Sequence, residues 1–296
     1  MKTIFLSVIF ALTLFPSFSQ SKTLFTKKQV LDDLQYLYKS LQNTHYDIDL
    51  YSTEEKLKAA FLKEKIGITK DSLSLLETNT IFQRLAATVN NGHTNIEFPI
   101  QSYREYAMAD GTVFPLEIAF EDNTSLIRKN WSKNDEIQIG SEILSINGNS
   151  MSEILSKIYL QIAAERIYFK NTKIELYSFP RCYWQVFGKQ DSFEVKISSN
   201  NVVKTYVIKA VNLINDYEMK RSEVMNAQMS LKFFKQTAYI NPGDFSGDED
   251  KYQRFIDSAF QKIRKEKSKE LIIDLRNNQG GNDSFSDYLV SYIADK

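Results

Sequence analysis

This sequence has little with which to crosslink itself or hold a metal. Cys182 is the only cysteine of 296 residues, so no internal disulfide can form and no structural zinc can be bound by it unaided. It reads as a packed thiol. Neither of the two histidines, His45 and His93, forms a metal set with nearby carboxylates at ligand spacing, so no metal and no cofactor is assigned. Charge of one sign is also missing. Lys plus Arg number 37 and Asp plus Glu number 37, a formal net charge of zero, which removes the electrostatic case for nucleic acid or an anionic membrane as the main partner. The mixed-sign run Arg264-Lys265-Glu266-Lys267-Ser268-Lys269 reads as a solvated helix end. The apolar run at residues 4–15 is too short for a membrane span, which needs about 20 residues. There is no internal repeat, no three-glycine dinucleotide fingerprint and no phosphate loop ending in Gly-Lys-Ser/Thr.

What is present begins with Lys2, the apolar run, Pro16 and the small residues of Ser17-Phe18-Ser19. That order predicts a signal peptide over 1–19, cleaved near Ser19, and an exported protein, periplasmic or extracellular. At about 150 residues per domain, the length suggests two domains and part of a third. From Thr26, residues Val30, Leu31, Leu34, Leu37, Tyr38 and Leu41 recur at helical spacing. A second helix is expected over 54–65, with Leu57, Phe61 and Leu62 inward, and a third over 74–88, with Leu76, Ile81, Leu85 and Val89. His45 follows the first helix and His93 follows the third, in Asn90-Asn91-Gly92-His93-Thr94. For a histidine read alone, a capping or hydrogen-bonded role precedes a catalytic one.

After Pro99 and a polar linker, residues 114–120 alternate as a strand, Asp122-Asn123 turns, and 125–128 forms another strand. Ile139-Gly140-Ser141-Glu142-Ile143-Leu144-Ser145-Ile146-Asn147-Gly148 then gives a glycine turn, a strand and an Asn-Gly turn, followed by a helix carrying Met151, Ile154, Leu155 and Ile158. This order resembles a PDZ-type domain. The resemblance implies a sheet that takes an extended peptide as an added strand. The aromatic segment holding Tyr168, Phe169, Tyr177, Phe179, Tyr183, Trp184 and Phe187 reads as packing, not as a ligand site. Residues 193–197 and 202–208 complete the sheet as a hairpin.

Near the C-terminus, residues 231–240 read as one strand, Asn241-Pro242-Gly243-Asp244 breaks it, 252–263 reads as an amphipathic helix and 271–275 as a buried strand. Strand, helix and strand make a parallel crossover, expected to be right-handed. The loop Arg276-Asn277-Asn278-Gln279-Gly280-Gly281-Asn282 follows. Asn282 or Asp283 can cap a last helix with Phe285, Leu289, Tyr292 and Ile293 on one face. Paired glycines at a helix start leave amides uncovered, which suits an oxyanion; the alternative is that they supply only positive φ.

Asp274-x-Arg276-x-Asn278-x-Gly280-Gly281 after an apolar strand resembles the core motif of the tail-specific, or C-terminal processing, serine peptidases. The resemblance implies an exported endopeptidase acting on protein or peptide substrates. Its nucleophilic serine would lie some tens of residues beyond the motif, outside this sequence, with Gly280 and Gly281 as oxyanion-hole donors. Gln279 stands where members often have a first glycine. The Gly-His-Thr segment matches one that closes the helical part of the family, and in tricorn-like members that histidine is the general base, which makes His93 the candidate here. Gly92 stands where the tricorn-like tetrad has a serine. Other members use a lysine after the serine, which would also lie beyond Lys296. The implied fold class is multidomain α+β: an N-terminal helical bundle at 22–100, a PDZ-like β domain at 110–215 and, at 228–296, the beginning of an α/β core of crotonase/ClpP-like kind. The chain alone is therefore expected not to hydrolyse peptides. The rival readings are a non-catalytic exported peptide- or ligand-binding protein on the same scaffold and a structural envelope component. Oligomeric state is left open.

Overall fold

The computed structural model describes residues 24–221 and 228–294; the expected signal peptide lies outside the described residues. Strand β1 (Leu24–Thr26) leads into helix α1 (Lys27–Thr44), then α2 (Glu54–Gly67), β2 (Ser72–Ser74) and α3 (Leu75–Ala87). Each helix starts where a hydroxyl can take an orphan amide. Thr26 accepts from Gln29 N–H, Thr53 from Lys56 and Ser74 from Glu77, the first and last as reciprocal capping boxes. β1 pairs antiparallel with β2. Val30, Leu34, Leu57, Phe61, Ile81, Leu85 and Val89 share one core, in which Tyr38 stacks on Phe61 with ring centroids 4.4 Å apart. Leu62, expected inside, is 44% exposed, because it lies one residue, about 100°, off the stripe carrying Leu57 and Phe61. Glu64 is buried instead and held by Arg84 Nη2 at 2.8 Å.

The expected polar linker contains a helix, α4 (Ile100–Met108). Tyr103 is its only buried residue, too little for a helical stripe in the sequence. It reaches Glu218 with its hydroxyl (2.6 Å) and packs edge-on against Trp184.

The middle of the chain supplies β3 (Thr112–Val113), β4 (Leu116–Glu121), β5 (Thr124–Asn130), β6 (Glu142–Ile146), β7 (Asn149–Ser150), α5 (Met151–Tyr159), α6 (Ile167–Tyr177), α7 (Phe179–Phe187), β8 (Ser192–Ser199) and β9 (Val202–Lys209). The sheet runs β4-β5-β6-β8-β9, with β7 beside β6, all neighbours antiparallel. Two turns make this possible: Asp122-Asn123 (φ +47°, +65°) and Asn147-Gly148 (φ +49°, +78°) both take the left-handed conformation that matches strand twist. The aromatic segment becomes α6 and α7 and packs on the sheet, with Phe114, Phe179, Tyr183 and Phe193 forming one ring cluster. Strand β10 (Val211–Asn212) pairs with β3, and a π-helical turn, Leu213–Glu218, runs into α8 (Met219–Arg221).

The last part is β11 (Ser230–Phe234), β12 (Thr237–Asn241), α9 (Glu249–Lys265), β13 (Glu270–Ile273) and α10 (Asp283–Val290). The expected single strand over 231–240 is a hairpin, reversed at Lys235 with φ +56°. β12 and β13 are parallel, with α9 as the crossover, and Ile240, Tyr252, Ile256, Phe260, Phe285 and Leu289 form the core. β13 is not buried on both faces as expected: it ends the three-stranded sheet, and Ile272 is 49% exposed. Ile293 lies beyond α10 and is likewise exposed. Among the described residues no helix is long and apolar enough to cross a membrane.

Candidate active site

The glycine loop is strapped down from both sides. Asp274 closes the β12–β13 ladder by donating its N–H to Ile240 O at 2.8 Å. Its carboxylate accepts from Arg276 Nε (2.8 Å) and Nη2 (2.9 Å) and from the Tyr239 hydroxyl. The Arg276 guanidinium holds this carboxyl well below the usual carboxylate range. Beyond it, Asn278 Nδ2 donates to Gly243 O (2.5 Å) and Gln279 N–H to Asp244 Oδ1 (3.0 Å). Phe245 then bridges the glycines, its N–H donating to Gly280 O (3.1 Å) and its O accepting from Asn282 N–H (2.8 Å). The two glycines answer different needs. Gly280 has φ +85° in open space, whereas Gly281 has φ +142° and a Cβ there would lie 1.9 Å from Phe245 O.

The structure treats the two proposed donors unequally. Gly280 N–H donates to Asn278 Oδ1 at 2.8 Å. Gly281 N–H has no hydrogen-bond partner among the described residues, and the residue is exposed. The loop thus presents one bare amide, next to the start of α10, which Asn282 caps through Ser284 N–H (3.0 Å). The hydroxyls of Ser286 and Ser291 are engaged by helix carbonyls, Asp283 O at 2.9 Å and Tyr288 O at 2.7 Å. The Ser284 hydroxyl is buried without a partner among the described residues.

His93 sits on a different loop. Its side chain is exposed and its N–H donates to Asn91 Oδ1 at 2.9 Å. The preceding Gly92 is clamped: its N–H donates to Glu165 Oε1 (2.8 Å) and its carbonyl accepts from Lys173 Nζ (2.8 Å). Phe169 fills the space a Cβ would need, its Cε1 only 2.4 Å away. The Gly92 amide holds the Glu165 carboxyl below its usual range, and burial pushes the Lys173 ammonium down. Lys173 also donates to Ala163 O at 2.8 Å. Sequence reasoning missed Glu165 and Lys173. They lie far along the chain from His93 and form no motif with it, so only the fold unites them. His45 serves α1 as its C-cap, its N–H donating to Leu41 O at 3.2 Å.

Among the described residues no hydrogen bond or ion pair joins the His93 loop to the glycine loop. The glycine loop instead meets the middle sheet, where Arg128 Nη2 donates to Asn277 Oδ1 at 3.3 Å. Cys182 is half-buried, and desolvation beside Glu117 pushes its thiol up to about 12, which disfavours the thiolate. No three His, Cys, Asp or Glu side chains among the described residues converge as a metal set.

A mixed α+β chain with a parallel crossover that ends in this aspartate, arginine and paired-glycine loop has a fold like that of the S41 peptidases. Residues 236–296 match the sequence model of Peptidase family S41, and the resemblance to tail-specific serine peptidases is thereby supported over that segment. No curated protein matches the chain in sequence. Among solved structures, mature CPAF complexed with lactacystin is 14% identical with a TM-score of 0.57, over 90% of this chain and 59% of that one. A crystal structure of mature CPAF is 14% identical with a TM-score of 0.50, over 86% of this chain and 56% of that one. The chain therefore spans less than three-fifths of the length of these structures, and at such identity the likeness is one of fold.

Proposed function

We propose that this chain is the front part of an exported serine endopeptidase of the tail-specific processing type. The observation that carries the reading is the unpartnered Gly281 N–H, on a loop within the segment that matches the peptidase family. A serine supplied by sequence beyond Lys296 attacks the scissile carbonyl, and Gly281 N–H donates to the oxygen as it gains negative charge. Removing one positioned donor of this kind costs about 10²–10³ in rate. Gly280 joins it only if Asn278 lets go of its amide. His93, on its clamped loop, takes the serine proton; the alternative base is a lysine beyond this chain. Residues 22–100 form the helical bundle, 110–215 a PDZ-like unit and 228–296 the opening of the peptidase core. The export reading rests on residues 1–19 alone.

Two observations favour a second reading, a non-catalytic binding protein on the same scaffold: the Gly280 amide is already occupied, and among the described residues no hydrogen bond or ion pair brings His93 to the glycine loop. The natural protein, with whatever sequence follows Lys296, separates the two. Covalent labelling by a serine-directed fluorophosphonate together with hydrolysis of an unfolded protein such as casein supports the peptidase. Neither labelling nor hydrolysis, with tight binding of peptides by the 296-residue chain, supports the binding protein.

A further inference from the structure

Strand β4 ends the five-strand path of the middle sheet, and an end strand offers unpaired N–H and C=O groups to any extended chain that arrives. In this protein a helix already covers it. Glu175 of α6 accepts the Phe120 N–H of β4 through Oε1 at 2.6 Å. Ile174, beside it on the helix, is fully buried in the core that holds Leu116 and Ile118 of the same strand. The C-terminal end of α6 is fixed as well, with Arg221 Nη2 donating to Leu176 O at 2.7 Å.

The same helix reaches the other way. At 100° per residue, positions two apart point to opposite sides of a helix. Lys173 accordingly faces away from Glu175, and it holds Gly92 O and Ala163 O, each at 2.8 Å. Phe169, one turn earlier, fills the space at Gly92. The ammonium and the carboxylate of one helix thus bind the backbone of the histidine loop on one side and the backbone of the sheet edge on the other.

We propose that α6 is the resident occupant of the β4 edge and that, through Lys173, it positions the His93 loop, so that no extended chain can add to β4 without also loosening Gly92. The mechanical link does not depend on the peptidase reading; its consequence for a base at His93 rests on that reading. Lys173 and Glu175 are positioning residues and touch no substrate.

Amide hydrogen exchange on the 296-residue chain tests the link without any need for hydrolysis, and so separates its failure from that of the peptidase reading, which the fluorophosphonate decides. In Glu175→Ala, exchange at Phe120 is expected to rise about tenfold or more, as for loss of one charge-assisted hydrogen bond, and exchange at Gly92 and His93 rises with it. Glu175→Gln, which keeps an acceptor oxygen, leaves both sites within about twofold of the parent. Lys173→Met, which keeps the length of the side chain, speeds Gly92 and His93 and also Phe120. Should Glu175→Ala free Phe120 while Gly92 and His93 stay as protected as before, or should Lys173→Met leave Phe120 unchanged, the proposal is overturned. The same follows if the parent chain takes up the peptide Thr-Val-Thr-Val-Thr-Val while Gly92 keeps its protection.

Discussion

Gly280 and Gly281 are neighbours, yet the backbone asks different things of them. At Gly280 only the positive φ opposes a side chain, so Gly280→Ala is expected to cost about 1 kcal/mol. At Gly281 a methyl group would also collide with the Phe245 carbonyl, and neither backbone segment can yield without giving up the bonds between Phe245, Gly280 and Asn282. Gly281→Ala is expected to cost about 3 kcal/mol or more, and urea unfolding of the two variants side by side reads the difference. The sequence offered both glycines as candidate uncovered amides. It could not show that Asn278 folds back onto the first, because a side-chain rotamer leaves no trace in motif spacing. Glu77 gives a prediction in pH. Hydrogen bonds from Lys70 and from the Ser74 amide lower its carboxyl to about 2 from the ordinary 4.5. A depressed acid stabilises the fold above its unfolded value and loses that contribution as pH falls toward the folded one. The stability gap between the parent and Glu77→Gln should therefore be constant above about pH 5 and shrink between 4.5 and about 2; a gap unchanged across that window would refute the assignment.

Elements stand or fall on which residues meet, and here the N-terminal helices were the most legible. Their apolar stripes are local, and the starts expected near 26, 54 and 74 fall beside the hydroxyl caps Thr26, Thr53 and Ser74 that the structure shows. The hairpin of β11 and β12 was hidden because Lys235-Gln236 is not a turn dipeptide; the fold imposes φ +56° on a lysine. α4 and the π-helical turn were hidden for a different reason. Their anchors Tyr103, Tyr217 and Glu218 are single side chains whose partners lie elsewhere in the chain. The turn's hold on the sheet is the buried carboxylate of Glu117, which accepts from the Tyr217 hydroxyl at 2.5 Å and from Arg221 Nε at 3.2 Å. Burial pushes that carboxyl up, and Arg221 and Tyr217 work against the push. Deleting one partner of a buried pair leaves the other uncompensated, so Arg221→Met is expected to cost about 3–5 kcal/mol. Most of that cost should vanish when Glu117→Gln is added, since no buried charge then remains. A double variant as unstable as the sum of the singles would mean that the pair is not coupled.

At the scale of the whole molecule, the helical part, the middle sheet and the last three-stranded sheet each bury a cluster of their own, and a fourth cluster, with Tyr103, Trp184 and Tyr217, has Leu76 of α3 packed against it. The last unit is the least closed of the three. Its edge strand β13 alternates exposed and half-buried, and Leu275, Val290 and Ile293 are also exposed. Stability within one chain follows the density of buried contacts, and edge strands open first. Amides of β13 should therefore exchange faster than those of β8, which is paired on both sides along its length. Substitutions divide along the same line. Ile240 is fully buried against Ile256 and Phe260, so Ile240→Ala should cost about 2–5 kcal/mol in urea unfolding of that unit. Ile272 faces out from the same sheet, and Ile272→Thr should shift stability by no more than about 0.5 kcal/mol in this chain. If Ile272→Thr proved as damaging as the core substitution, β13 would have to be covered in solution, and the three-stranded sheet could not be the edge that the structure shows.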